Sequence, residues 1–75
     1  MKEYNGHRSW NAWNVALWLN NDVDWYEEWC WMPEEYSLER AVSLLLSRLP
    51  AKTQDGAVFN RLAVKLAIES DWEAS

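Results

Sequence analysis

The side chains that could do chemistry are one cysteine, one histidine and a set of carboxylates. Cys30 would need a nearby base or a helix N-terminus to become a reactive thiolate, and it falls late in a tryptophan-rich stretch. His7 is the available base, but it lies near the N-terminus with no third group to orient it. The pattern therefore favours a buried or inert thiol over a nucleophilic site.

Paired carboxylates could act as a general acid and a general base, and Glu27, Glu28, Glu34 and Glu35 supply candidates. Such chemistry needs a cleft that holds a substrate and separates the two pKa values, and a chain of 75 residues rarely has room for one. The two glycines are isolated, and a single cysteine with a single histidine cannot complete a zinc site. We predict no enzyme activity, no catalytic residue, no metal and no cofactor.

Charge is distributed unevenly along the chain, whose formal net charge is −5. Residues 9–39 contain no lysine or arginine but hold all of the following acids: Asp22, Asp24, Glu27, Glu28, Glu34, Glu35 and Glu39. Residues 40–68 hold five basic residues and one acid. Direct binding to nucleic acid is disfavoured, because such proteins need a basic footprint.

The N-terminus lacks the apolar stretch of a secretory signal, and no run of residues reaches the roughly 18 apolar positions of a membrane span. One cysteine is compatible with a reducing compartment. We expect a protein of the bacterial cytoplasm that does not bind membranes.

The elements that must position these side chains are helices. After an irregular lead-in at residues 1–8, Ser9 is a candidate cap for a helix over about 10–20, where apolar residues recur at helical spacing. A second helix is predicted over about 23–32, capped by an Asn-Asp pair and stopped by Pro33.

A third helix is predicted over about 34–49, with two possible starts, at Glu34 or after a Ser37 cap, and Pro50 ends it. Thr53 is the candidate cap of a fourth helix over about 54–71, with Phe59 and Leu62 on its apolar face. The predicted fold is all-α, a compact bundle of four short helices forming a single domain over 1–75.

Tryptophan supplies much of the apolar volume that so short a chain needs for a core. There are seven tryptophans, and six of them lie between Trp10 and Trp31. Most of the core is expected in the first half of the chain, unless some of these rings stay exposed as binding anchors.

The acidic residues have two explanations. Asp22, Asp24, Glu34 and Glu35 fall near predicted helix starts, where negative charge is stabilised by the helix dipole. By contrast, Glu27 and Glu28 follow Asp24 by three and four residues, where like charges repel by about 0.2 to 0.5 kcal/mol per pair. The cluster is either a solvated face or a surface that meets a positively charged partner.

Carboxylates three and four residues apart on a helix have Cβ atoms roughly 5 to 6 Å apart, which is the scale of successive phosphates on a DNA strand. Such a face could occupy a basic groove built for nucleic acid, with an aromatic anchor beside the charges. The predicted partner-binding residues are Asp22, Asp24, Glu27, Glu28, Trp31, Glu34, Glu35 and Glu39.

Residues 4–6 (Tyr-Asn-Gly) and 9–22 carry a recognisable pattern, with Trp-Asn-Val-Ala-Leu-Trp at 13–18 and Asn-Asp at 21–22. This pattern resembles a group of small phage and mobile-element proteins of unknown function. The resemblance covers about the first 22 residues and implies no activity or site residue.

Short acidic phage-type proteins without catalytic motifs are similar in kind to anti-CRISPR and antirestriction inhibitors, many of which imitate DNA. That similarity implies an inhibitor that binds a CRISPR effector complex and blocks target DNA, as a monomer or weak dimer. The alternative is a structural or adaptor module that binds proteins through exposed tryptophans.

Overall fold

The computed structural model describes residues 10–74 and contains four α-helices. The helices are α1 (Trp10–Asn21), α2 (Val23–Trp29), α3 (Leu38–Arg48) and α4 (Arg61–Ala74), with a 3₁₀ turn at Met32–Glu34. Within the described residues the extended structure is limited to an isolated bridge between Lys52 and Val58. The predicted all-α bundle is confirmed, and the predictions for residues 1–8, including His7, and for the Ser9 cap lie outside the described residues.

The core forms where α4 packs against α1 and α3, with α2 closing one side. The residues with no exposed surface include Val15, Leu19, Trp29, Met32, Val42, Leu45, Val64 and Ile68. Trp29 is the largest of them, and its indole N–H donates to the carbonyl oxygen of Leu19 at 2.8 Å. Its ring also stacks on Trp72 with the centroids 6.4 Å apart, which ties α2 to α4.

The prediction that the first half of the chain makes most of the core holds only if its tryptophan rings are buried, and that condition is not met. Trp29 alone among the seven is fully buried, while Trp10 and Trp31 are 40% and 42% exposed. The second half of the chain supplies more of the buried residues, because α3 and α4 each present an apolar stripe to the centre. The structure therefore corresponds to the alternative in which some of the tryptophan rings stay exposed.

Helix α2 ends at Trp29, three residues earlier than predicted. Pro33 is still the cause of the helix end, because a proline cannot donate a hydrogen bond to the carbonyl four residues back and its ring crowds that carbonyl. Four residues before Pro33 is Trp29. Pro33 itself lies in the first turn of the 3₁₀ segment, as its fixed backbone angle favours.

The start of α3 follows the second of the two predicted possibilities. Ser37 is the cap, and its hydroxyl accepts a hydrogen bond from the backbone N–H of Arg40 at 3.3 Å. Glu34 and Glu35 therefore lie in and after the 3₁₀ turn rather than in the first turn of α3. Ala41, Val42 and Leu45 recur at helical spacing and form the buried stripe of α3.

The predicted start of the fourth helix near residue 54 is wrong, since α4 begins at Arg61. Gly56 adopts a φ of 98°, which a helix cannot contain, and residues 51–59 form a loop around it. Asn60 caps the helix instead of Thr53, since its side-chain oxygen accepts from the N–H of Ala63 at 2.8 Å. The predicted apolar face also changes: Phe59 is buried in the loop, while Leu62 is 58% exposed.

No helix within residues 10–74 combines the length and apolar character needed to cross a membrane.

Candidate functional site

The centre of the predicted partner-binding set lies on the outer side of α2. Asp24, Glu27 and Glu28 are all exposed, and their spacing of three and four residues places them on one side of the helix. Asp24 and Glu27 make no ion pair with any residue that the structure describes. The mutual repulsion expected from the sequence is therefore unrelieved at these two positions.

Asp22 has a structural role at the start of this helix. Its Oδ1 atom accepts from the backbone N–H groups of Asp24 at 3.0 Å and Trp25 at 3.3 Å. This cap satisfies two donors that would otherwise lack a partner within the helix. Of the two explanations considered for the acidic residues, a position at the start of a helix accounts for Asp22.

Glu28 is neutralised within the protein. The Arg48 guanidinium at the end of α3 donates to Glu28 Oε2 at 2.9 Å, and both side chains remain about half exposed, at 48% and 46%. No local pattern indicates this pair, because Glu28 and Arg48 are twenty residues apart in the chain. The charge available for an outside partner is thus smaller than the sequence predicted.

Glu39 is also paired, and it lies apart from α2 at the first turn of α3. Lys65 and Arg61 of α4 approach its two carboxylate oxygens, each at 3.2 Å. Hydrogen bonds from Lys65 first, and then from Arg61, lower the pKa of the Glu39 carboxyl below its ordinary value. The structure gives Glu39 a role in joining α3 to α4, and leaves its predicted place in the binding set a proposal.

Glu34 and Glu35 are exposed on the short segment that follows α2, and no ion pair involves them among the described residues. Residues 23–35, which comprise α2 and the 3₁₀ turn and contain no lysine or arginine, are hereafter called the acidic helix–turn. Its exposed acids without ion pairs are Asp24, Glu27, Glu34 and Glu35.

Apolar side chains are exposed among these acids. Val23, Tyr26 and Trp31 are 68%, 40% and 42% exposed. Tyr26 packs edge-on against Trp29 with the ring centroids 5.1 Å apart, and Trp31 packs edge-on against Tyr36 at 5.8 Å. Each ring therefore has a fixed neighbour and an open side, which is the condition for a rigid aromatic anchor.

Cys30, the candidate nucleophile considered from the sequence, lies within the described residues. The thiol was predicted to be either buried or inert; Cys30 is exposed, so burial is excluded and inertness stays a prediction. Residues 10–74 contain no group of three or more histidine, cysteine or acidic side chains placed to hold a metal ion.

A set of polar residues that the sequence reasoning missed fixes the loop after α3 to helix α1. Asn14, almost fully buried, donates to Asp55 Oδ2 at 2.9 Å and accepts from the Thr53 hydroxyl at 2.6 Å. The indole N–H of Trp18 donates to the same Asp55 oxygen at 3.1 Å. These two donors, Asn14 first, lower the pKa of the Asp55 carboxyl below its ordinary value.

Asn20 acts similarly at the other end of α1, since its amide N–H₂ donates to the carbonyl oxygens of Ala16 and Ala67, both at 3.0 Å. Asn14 and Asn20 thus join α1 to the loop after α3 and to α4 through side-chain hydrogen bonds. The signal available in the sequence was the presence of asparagines inside a helix, where they are unfavourable unless they bond to something outside it.

Comparison with known proteins gives one family. The model of a family of unknown function (DUF7249) matches residues 1–73. No curated protein and no solved structure matches the chain.

Proposed function

The chain belongs to that family of unknown function, and we propose that it acts by binding a basic surface of another protein through the acidic helix–turn. The observation that carries the proposal is the position of Asp24 and Glu27. Both carboxylates are exposed, lie three residues apart on α2 and have no cation beside them in the described structure. Their repulsion is relieved when a positively charged surface meets them.

The neighbouring aromatic side chains support a protein partner. Tyr26 and Trp31 offer large contact areas that are already held in place by Trp29 and Tyr36, so little conformational entropy is lost when they are covered. Aromatic anchors surrounded by charge are typical of protein interfaces.

The ion pair between Glu28 and Arg48 does not prevent Glu28 from joining this surface. An exposed ion pair contributes about 0 to 1 kcal/mol, so a partner's cation can replace Arg48 at small cost. Glu28 would then extend the row begun by Asp24 and Glu27. The face available to a partner then has three carboxylates on α2, and one of them, Glu28, must first release Arg48.

We further propose that the basic surface is one that normally holds nucleic acid, and that the protein is a phage-type inhibitor of the anti-CRISPR class. Support comes from the roughly 5 to 6 Å between the Cβ atoms of acids three and four residues apart on a helix, which is on the scale of successive phosphates. Support also comes from the resemblance of residues 9–22 to small phage proteins. Binding would exclude target DNA by occupying its groove, without covalent chemistry.

The exposed apolar side chains favour a second candidate, an adaptor that joins two proteins by apolar contact. Val23 and Trp31 are exposed in and just after α2, and Trp10 and Leu17 are exposed on α1, at 40% and 36%. In that role the acids would serve solubility only. The two candidates differ in salt dependence, because screening weakens charge pairing and leaves apolar contact largely unchanged.

A binding experiment separates them. The immobilised protein is used to capture its partner from a bacterial host lysate at low and at high salt, and the captured complex is then titrated with variants. Glu27→Lys reverses a charge of the acidic helix–turn, and Glu73→Lys reverses an exposed charge in the last turn of α4 as the matched control. Loss of affinity of about tenfold or more for Glu27→Lys alone supports the proposal. Equal affinity of both variants, with binding insensitive to salt, supports the adaptor and contradicts the proposal.

A further inference from the structure

A small cleft lies where the end of α1, the start of α2 and the loop after α3 meet. Its volume is about 110 Å³, and its lining includes Trp18, Asp22, Trp25, Pro50, Lys52 and Phe59. Pockets for free small molecules usually measure about 300 to 1,000 Å³. The cleft therefore has the size of a site for one side chain.

The walls of the cleft are held in place by contacts elsewhere in the protein. The ring of Trp18 is fixed by the hydrogen bond from its indole N–H to Asp55, at 3.1 Å. Trp25 is partly buried and packs against the core, and Phe59 is 8% exposed. A side chain that enters would meet aromatic surfaces that need little reordering.

The carboxylate of Asp22 brings negative charge to these aromatic walls. Its Oδ1 atom is engaged in capping α2, whereas its Oδ2 atom takes no hydrogen bond from the described residues. One oxygen is thus available to a ligand. Aromatic rings beside a carboxylate recognise organic cations, because a cation is attracted both to the ring faces and to the negative charge.

We propose that this cleft receives a single arginine side chain of the basic partner. A guanidinium group is planar, so it can stack on an indole ring while it donates hydrogen bonds to Asp22 at its edge. The inference rests on the proposed function, since it names the residue with which the partner's basic surface is anchored. Asp22 immediately precedes the acidic helix–turn, so the cleft is continuous with the proposed surface.

A neutral aromatic side chain is a poorer occupant. It would cover the Asp22 carboxylate without offering it a cation, and an unpaired charge that is removed from water is costly. An acidic side chain would be attracted by Lys52 but repelled by the Asp22 carboxylate, which the cap of α2 holds in place.

Lys52 opposes the binding of a cation, and it gives the proposal a specific test. Its side chain lines the cleft and makes no ion pair with Asp22 or with any other described acid. Lys52 is exposed, and its long stem can turn toward water when an arginine enters. Removing its charge should therefore strengthen arginine binding.

The test uses the intact protein and three small probes, N-acetyl-argininamide, N-acetyl-lysinamide and N-acetyl-tyrosinamide. Binding is followed through the indole N–H signals of Trp18 and Trp25 in proton–nitrogen NMR spectra. The indole N–H of Trp29 is the internal reference, because it is buried and bonded to Leu19. The expected result is saturable movement of the first two signals with argininamide, smaller movement with lysinamide and none with tyrosinamide.

Variants then identify the groups responsible. Asp22→Asn keeps the helix cap, since asparagine caps as well as aspartate, and should weaken argininamide binding by about two- to fivefold. Lys52→Gln should strengthen it, and Glu73→Gln should leave it unchanged. The proposal is overturned if tyrosinamide binds as tightly as argininamide, if Asp22→Asn has no effect, or if argininamide leaves the signals of Trp18 and Trp25 unmoved.

The failure of this inference is distinguishable from failure of the proposed function. The titration with N-acetyl-argininamide needs no partner protein. The partner-capture experiment tests a variant of Glu27, which does not line the cleft. Partner capture that depends on Glu27 but is indifferent to Asp22→Asn would overturn the cleft proposal and leave the proposed function standing.

Discussion

The side-chain amide of Asn11 forms two hydrogen bonds with the backbone of Val58, forty-seven residues further along the chain. Its Nδ2 atom donates to the Val58 carbonyl oxygen at 2.9 Å, and its Oδ1 atom accepts from the Val58 N–H at 2.6 Å. A side-chain amide thus pairs with a backbone amide as a neighbouring strand would. This contact joins the first helix to the loop that precedes α4, and it makes the loop part of the folded unit.

Replacing Asn11 should therefore destabilise the protein. Asn11→Ala removes both hydrogen bonds to Val58, and we expect the free energy of unfolding to fall by about 1 to 3 kcal/mol. Urea unfolding followed by circular dichroism measures the change. Asn21→Ala is the control, because Asn21 is exposed at the end of α1. Equal midpoints for Asn11→Ala and the wild-type protein would contradict the assigned role of the contact.

Asp55 should make stability depend on pH. Hydrogen bonds from Asn14 and Trp18 lower its pKa in the folded state, so the folded protein binds this proton less readily than the unfolded chain. The stabilisation is present above the ordinary pKa of 3.8 and is lost as the pH falls through the lower, folded-state pKa. Asp55→Asn should be less stable than wild type at neutral pH, and the difference should shrink in acid. A difference that grows as the pH falls would show that the sign is wrong.

Gly56 should be sensitive to substitution for a reason of backbone conformation alone. A Cβ atom added there meets nothing within 4 Å, but the φ of 98° is unfavourable for residues with a side chain. We expect Gly56→Ala to lower the free energy of unfolding by about 1 to 2 kcal/mol, and Gly56→Asn by less, since asparagine tolerates positive φ. Thermal and urea unfolding provide the measurement. Equal stability of the Ala variant and wild type would contradict the assigned turn.

Arg48 should restrain Glu28 without contributing much to stability. Arg48→Gln removes an exposed ion pair, so the free energy of unfolding should change by no more than about 1 kcal/mol. The freed Glu28 carboxylate should raise the affinity for the basic partner proposed above. Isothermal titration with the captured partner tests this, and lower or unchanged affinity would remove Glu28 from the proposed surface.

Local sequence patterns predicted those parts of the fold that depend on local interactions. The extent of α1, the Ser37 cap and the buried stripe of α3 follow from spacing and capping residues. The late start of α4 also had a local signal, because Asp55-Gly56 is a turn pair and Asn60 is a cap residue. The helical spacing of Phe59 with Leu62 favoured an earlier start and led to the wrong prediction.

The state of the acidic residues could not be predicted in the same way. Glu28 meets Arg48 across twenty positions, and Glu39 meets Lys65 across twenty-six. Such pairs exist only once the helices have packed, so charge counted along the sequence overstated the free negative charge. The same limit applies to Trp18 and Asp55, whose hydrogen bond fixes one wall of the cleft.

The most direct measurement of the proposed inhibition is the binding of duplex DNA by the captured partner as this protein is added. The account predicts that the wild-type protein displaces DNA, that Asp24→Lys and Glu27→Lys each raise the concentration required by about tenfold or more, and that Glu73→Lys does not. If DNA and this protein occupy the complex together, the protein does not act by excluding DNA. If reversing the charge of both Asp24 and Glu27 leaves the displacement unchanged, the acidic helix–turn is not the surface through which the protein acts.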